Sequence, residues 1–181
     1  MKTEIIKSIG VILLSYLLFL PLSMGKDLNI YQIEVKKIDG EKLILKSMKG
    51  RPMLIVNIAT GCGFTPQLEA LQKLNQKFGP KGLIILGVPS NDFGGQTPGK
   101  NKEVKKFCSD TYGVTFPLTE KMIVKGVKKH ALFEFLTKDG SGVWWNFEKF
   151  LINKEGKLVN RYRSWTSPLG EGFVEEIEKL L

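Results

Sequence analysis

Apolar and polar positions along the chain change period several times, and each change predicts an element. Residues 9–20 (IGVILLSYLLFL) form one continuous apolar run. Tyr31–Val35 and Lys42–Leu45 alternate apolar with polar on either side of Asp39-Gly40, which predicts a β-hairpin. Met53–Ala59 (MLIVNIA) is nearly all apolar, as expected of a strand covered on both faces. The period then becomes helical: Leu68, Leu71, Leu74 and Phe78 share one face. Thr65 is placed to cap this helix, Pro66 suits its first turn, and Gly79-Pro80 ends it. Leu83–Val88 reads as a second buried strand, so residues 53–88 form a βαβ unit with a right-handed crossover.

The second half is less regular. Pro89–Lys100 (PSNDFGGQTPGK) is a Gly/Pro-rich loop, long enough to suggest function. A helix is expected from Asn101, with Val104, Phe107 and Cys108 on its apolar side, followed by a short strand at Val114–Phe116 that ends at Pro117. A helix is expected around Ala131–Leu136. Phe147–Ile152 and Leu158–Tyr162 flank the Asn153–Gly156 turn as an antiparallel hairpin, and Phe173–Leu181 closes the chain as a helix. A βαβ half followed by a ββα half is the layout of a thioredoxin-like α/β sandwich: a central mixed sheet flanked by helices, preceded by an N-terminal hairpin.

Composition narrows the function. A length of 181 residues with 43% hydrophobic and 25% charged residues fits one globular domain. One His and two Cys are too few for an ordinary zinc site or a disulfide-stapled scaffold. The net charge of +9 comes from scattered lysines with no aromatic-interleaved motif, which argues against a nucleic-acid partner. A solvated basic surface, contact with an acidic reductase or transient contact with an anionic membrane surface fits it better.

Lys2 and Lys7 precede the apolar run, and Ser23 and Gly25 supply small residues at the −3 and −1 positions of a cleavage site. Residues 1–25 are therefore expected to be a secretory signal peptide, or a membrane anchor if uncleaved, with 26–181 as the functional domain. Cleavage would remove two Lys and one Glu, lowering the charge from +9 to +8. The expected destination is the periplasm, the ER lumen or the exterior.

The candidate chemistry centres on Cys62, where the first buried strand gives way to a helix. The N–H groups of a helix start favour thiolate, and the flanking Gly61 and Gly63 leave room for a substrate atom at the sulfur. Taken alone, Cys62 could instead be a small buried hydrophobe. Gln96 could be a solvated turn residue, Trp145 a core aromatic interchangeable with Trp144, Asn146 a turn cap, and Cys108 an inert core thiol.

Four ordered segments change those readings: Ala59–Gln67 (ATGCGFTPQ), Val88–Gly99 (VPSNDFGGQTPG), Phe107–Pro117 (FCSDTYGVTFP) and Trp145–Leu151 (WNFEKFL). From about Leu28 onward the chain closely resembles the glutathione peroxidase family, in its cysteine-containing, thioredoxin-dependent branch. The resemblance implies a peroxidatic residue at Cys62 with Gln96, Trp145 and Asn146 as its catalytic partners. Their neutral N–H groups suit hydrogen bonding to developing negative charge, and no imidazole is needed. It implies a resolving role for Cys108, whose thiolate would attack the Cys62 sulfenic acid to form a disulfide. Bridged Cα atoms lie within ~7 Å, so the helix Asn101–Tyr112 is expected to be mobile.

It also implies hydrogen peroxide and organic or lipid hydroperoxides as substrates and a thioredoxin-like dithiol as reductant, in preference to glutathione. No cofactor or metal is implied, and a role in the response to oxidative stress is. Position 62 is Cys where faster relatives carry selenocysteine. Gly61 replaces a larger, often basic or polar residue, Ser90 stands where many relatives have another Cys, and Asp92 replaces an amide with a charge expected to oppose thiolate formation slightly. His130 matches a structural helix start. The short stretch Leu118–Val143 lacks a tetramer-supporting insertion and points to a monomer. The rival reading is a peroxide-driven thiol oxidase or peroxide sensor; no C-x-x-C follows Cys62, which argues against direct dithiol exchange.

Overall fold

All six residues of Met53–Ile58 (β3) are buried, and their side chains alternate between two cores. A computed structural model describes residues 29–181, so the expected export segment lies outside the described residues. The hairpin about Asp39-Gly40 is present but short, with β1 at Val35–Lys36 and β2 at Lys42–Leu43. The flanking alternation coils into 3-10 turns at Ile30–Gln32 and Leu45–Met48 instead of lengthening the strands.

Helix α1 spans Gln67–Phe78, with Leu68, Leu71, Leu74 and Phe78 buried as the periodicity predicts. It leads to β4 at Ile84–Pro89, which pairs parallel to β3. Helix α2 spans Asn101–Tyr112 and ends where Gly113 turns left-handed at φ 62°. Helix α3 spans Ala131–Leu136, β5 Lys149–Ile152, β6 Leu158–Tyr162 and α4 Glu171–Glu178. The expected strand at Val114–Phe116 does not form. Only single bridges occur just beyond it, Leu118 with Gly87 and Thr119 with Lys37, because Pro117 lacks the N–H a continuous ladder requires.

The main sheet has the order β4-β3-β5-β6, with β5 antiparallel to both β3 and β6. Met53, Ile55, Leu86, Val88, Phe150 and Ile152 face α3 and the N-terminal hairpin. Leu54, Val56, Ile58, Ile85 and Leu151 face a second layer built from α1, α2 and α4, and this layer contains both Cys62 and Cys108. The mixed sheet covered on both faces is the α/β sandwich expected from the order of elements.

Candidate active site

Cys62 lies in the turn between β3 and α1, five residues before the helix begins. Thr65 does not cap α1 as its position suggests. Its Oγ1 accepts the Cys62 N–H at 3.0 Å and donates to the Ala59 carbonyl at 3.0 Å, tying the turn into a loop around the cysteine. The Phe64 N–H donates to the Cys62 sulfur at 3.5 Å. A backbone donor therefore already faces the sulfur before any substrate arrives. Cys62 is 7% exposed, while Gly61 and Gly63 beside it are exposed.

Gln96 is joined to this turn through its main chain. Its carbonyl accepts the N–H groups of Gly61 at 2.8 Å and Thr60 at 3.1 Å. A side chain at residue 61 would meet that carbonyl at 3.4 Å, an ordinary contact, so the loop closes against the cysteine turn through its main chain and would do so with a larger residue there. The Gln96 side chain in turn accepts a hydrogen bond from Asn146 Nδ2 at 2.9 Å. Asn146 is fully buried, and its remaining amide oxygen has no hydrogen-bond partner. Turning both amides by half a rotation keeps the bond, with Gln96 donating and the unpartnered Asn146 group becoming an N–H. In either sense the pair leaves one buried polar atom unused, and such atoms are costly unless a substrate or water engages them.

Trp145 and Trp144 are not interchangeable. The Trp145 ring packs on Phe93 of the glycine-rich loop, with centroids 5.6 Å apart, and is 40% exposed. The Trp144 indole N–H is already donated to the Ser141 carbonyl, and the Arg163 guanidinium lies 3.8 Å over its ring. Cys62, Gln96, Trp145 and Asn146 thus belong to three loops, with the Gln96 loop bonded to each of the other two.

Two residues that hold these loops were not among the candidates. Asn57, buried in β3, donates to the Trp145 carbonyl at 3.0 Å and accepts the Glu148 N–H at 2.9 Å, while its own carbonyl accepts from Phe147 at 2.6 Å. Phe147 adopts φ 64°, a strained conformation for a bulky side chain, and this clamp holds it there. Glu148, also fully buried, accepts the Trp144 N–H at 2.8 Å and pairs with Arg161 and Arg163. A lone amide inside the apolar run 53–59 and a charge inside the expected strand Phe147–Ile152, which begins only at Lys149, were the available signals. Asp92, an expected liability, is occupied in docking the next segment by accepting the N–H groups of Val124 and Lys125. His130 caps α3 through the Leu132 N–H, the structural role expected of it.

Cys108 stands apart. It is fully buried in the middle of α2, and burial pushes its thiol up to about 11. Both cysteines are free thiols. Two clefts border α2: one of about 320 Å³ between the Cys62 turn and Glu103, Val104 and Phe107, and one of about 240 Å³ between the N-terminal hairpin and Lys105 and Ser109. The helix is covered on its apolar side and bordered by a cleft on each flank, the second one bridged by the Lys105–Asp39 ion pair.

Comparison with known proteins places this geometry in context. A family model described as Glutathione peroxidase matches residues 30–137. The chain is 44% identical over 164 residues to the hydroperoxy fatty acid reductase gpx1 of Synechocystis, covering 84% of this chain and 96% of the relative. It is 40% identical over 159 residues to the glutathione peroxidase-like peroxiredoxin 2 of Saccharomyces cerevisiae, covering 84% and 97%. Among solved structures, a thiol:disulfide interchange protein of the thioredoxin family from Chlorobium tepidum superposes with a TM-score of 0.63 at 16% identity, over 81% of this chain and 91% of that one. At that identity the likeness establishes the thioredoxin-like fold alone.

Proposed function

Since the chain belongs to the glutathione peroxidase family and is an enzyme of that peroxidase type, we propose that it reduces hydrogen peroxide and organic or lipid hydroperoxides through Cys62. The observation that carries this reading is the setting of Cys62, with the Phe64 N–H on its sulfur and the Gln96–Asn146 pair fastened to the residue before it. The thiolate attacks one peroxide oxygen in line with the O–O bond. An S–O bond forms, the O–O bond breaks, and the departing alkoxide or hydroxide takes a proton delivered through water. Sulfur is oxidised by two electrons and the peroxide reduced to alcohol or water. The neutral N–H groups of Gln96, Asn146 and Trp145 stabilise the charge on the departing oxygen.

Cys108 then resolves the sulfenic acid. The buried thiol is protonated and unreactive at neutral pH, so α2 must first open, and the clefts along its flanks favour that opening. Once exposed, its thiolate attacks the Cys62 sulfur, water leaves, and a Cys62–Cys108 disulfide forms. A thioredoxin-like dithiol reopens it, giving back two thiols. The peroxiredoxin-type name of the yeast relative supports a dithiol reductant over glutathione.

The burial of Cys108 also favours a second reading. If α2 stays closed, the sulfenic acid passes its oxidation to a partner protein, and the chain acts as a thiol oxidase or peroxide sensor. The test is peroxide consumption with thioredoxin or glutathione as reductant, in wild type, Cys62→Ser and Cys108→Ser. Thioredoxin-driven turnover that needs both cysteines supports the peroxidase cycle. Retained activity in Cys62→Ser ends it, and full thioredoxin-driven activity in Cys108→Ser ends the resolving role.

The remaining parts of the proposal concern setting. Residues 1–25 direct export, and the chain acts as a monomer in the response to oxidative stress. Transient contact with an anionic membrane surface is supported by Lys125 stacked over Phe93 beside Trp145, with Trp144 and Trp165 exposed. Cell fractionation and light scattering test location and oligomeric state.

A further inference from the structure

Lys149 is the least expected side chain in the fold: a lysine with no exposed surface in the middle of the main sheet. It stands opposite Val56 of β3 and Tyr162 of β6. Directly opposed residues project to the same face of a sheet. Val56, Leu151 and Cys62 share the hydrophobic layer on that face, so the Lys149 side chain enters the layer that holds the cysteine. Its ammonium donates to the Ser164 carbonyl at 3.1 Å, and the same oxygen accepts the Gln67 amide at 2.7 Å. Gln67 is the first residue of α1, immediately after the turn that carries Cys62.

An ammonium has three donors and a full charge, and buried charges are normally paired. Among the described residues no carboxylate lies within salt-bridge distance of Lys149. Its sequence neighbour Glu148 is committed to Arg161 and Arg163, and Tyr162 across the ladder is bonded to Glu176 of α4. On the α1 side, Gln67 is neutral and Cys62 is the titratable group of the turn. A buried cation with no salt bridge among the described residues, and only the charge of the adjacent Glu148 in its favour, thus shares a layer with a thiol whose working form is an anion. The site has no imidazole near it, and residue 61 carries no basic side chain.

We propose that Lys149 is a positioning residue for Cys62: its buried ammonium, braced with Gln67 on the Ser164 carbonyl, supplies the positive charge that favours the thiolate and holds the start of α1 in place. The inference rests on Cys62 being the peroxidatic residue. Burial also brings the Lys149 ammonium down to about 7, so it changes charge in the neutral range.

The test uses the full chain in a Cys108→Ser background, which leaves one thiol. Alkylation of Cys62 by iodoacetamide and its oxidation by hydrogen peroxide are followed against pH, with thermal melting as the control. Lys149→Met is expected to melt at or above the wild-type temperature, because replacing a buried unpaired charge with a side chain of similar length relieves the fold. Its Cys62 is expected to react about tenfold more slowly at pH 7, with the pH midpoint of reaction moved up by about one unit. Lys149→Arg, which keeps the charge, is expected to restore part of the rate. A folded Lys149→Met with wild-type rate and midpoint overturns the proposal. If that variant does not fold, Lys149→Gln takes its place under the same criterion. Peroxide turnover by Cys62→Ser in the otherwise native chain would instead remove the peroxidase reading beneath it.

Discussion

Cys62 and Cys108 lie in the same hydrophobic layer and both are buried, yet their surroundings differ in kind. Cys62 sits in a turn whose N–H groups are not committed to a helix, and one of them faces its sulfur. Cys108 sits within a hydrogen-bonded helix with only apolar neighbours to offer, and burial raises its thiol. The difference teaches that burial alone does not set the reactivity of a thiol. What matters is whether the backbone around it has donors left to give, and whether that backbone can move.

The largest effect should come from removing the better-placed thiol. Cys62→Ser is expected to abolish peroxide-dependent turnover, by at least about a thousandfold, since a hydroxyl there lacks both nucleophilicity and a thiolate. Peroxide consumption measures it. Cys108→Ser should break only the second half of the cycle: one equivalent of peroxide still oxidises Cys62, a sulfenic acid accumulates for trapping by a dimedone reagent, and thioredoxin-driven turnover falls about a hundredfold. Equal loss of the first oxidation in both variants would erase the contrast between the two sites.

A smaller effect is expected at the clamp under the Cys62 site. Asn57→Ala leaves the Trp145 carbonyl and the Glu148 N–H without their partners. Each buried unpaired group costs about 1–3 kcal/mol, so the denaturation midpoint should fall markedly and peroxide oxidation slow together with it. Asn57→Asp keeps only the acceptor half of the clamp and should lie nearer to Ala than to wild type.

Gly113→Ala sharpens the other side of the comparison. A Cβ at φ 62° costs about 1 kcal/mol at the end of α2. If that strain is relieved when α2 opens, disulfide formation should quicken up to about fivefold while Cys62 oxidation stays unchanged; stopped-flow tryptophan fluorescence separates the two phases.

The last difference lies in the pH dependence of stability. The Cys108 thiol is raised from 9.0 to about 11, so above pH 9 the unfolded chain loses a proton that the folded chain keeps, and stability falls as pH rises towards 11. The Lys149 ammonium is lowered from 10.5 to about 7, so between those values the unfolded chain holds the extra proton and stability rises with pH. Urea midpoints from pH 7 to 10.5 should therefore rise first and flatten above 9. Cys108→Ser should remove the flattening, and Lys149→Met the rise.

Much of this molecule is determined by sequence periodicity. The α1 face, the two buried parallel strands, the bounds of α3 and the hairpin around Asn153–Gly156 follow from residue spacing and turn chemistry, because those signals are local. The cysteine turn and the order of the four motifs are equally legible, since glycine, proline and cysteine mark them directly. What the tertiary structure alone decides is which loops meet. The insertion of β5 beside β3 brings Asn57 against Trp145 and Glu148, and the closure of the Gln96 loop on Gly61 brings two amides together. The same insertion buries Lys149 in the Cys62 layer. These pairings join residues far apart in the chain. Their energies depend on burial and on which polar groups are left without partners, quantities that exist only once the sheet has formed.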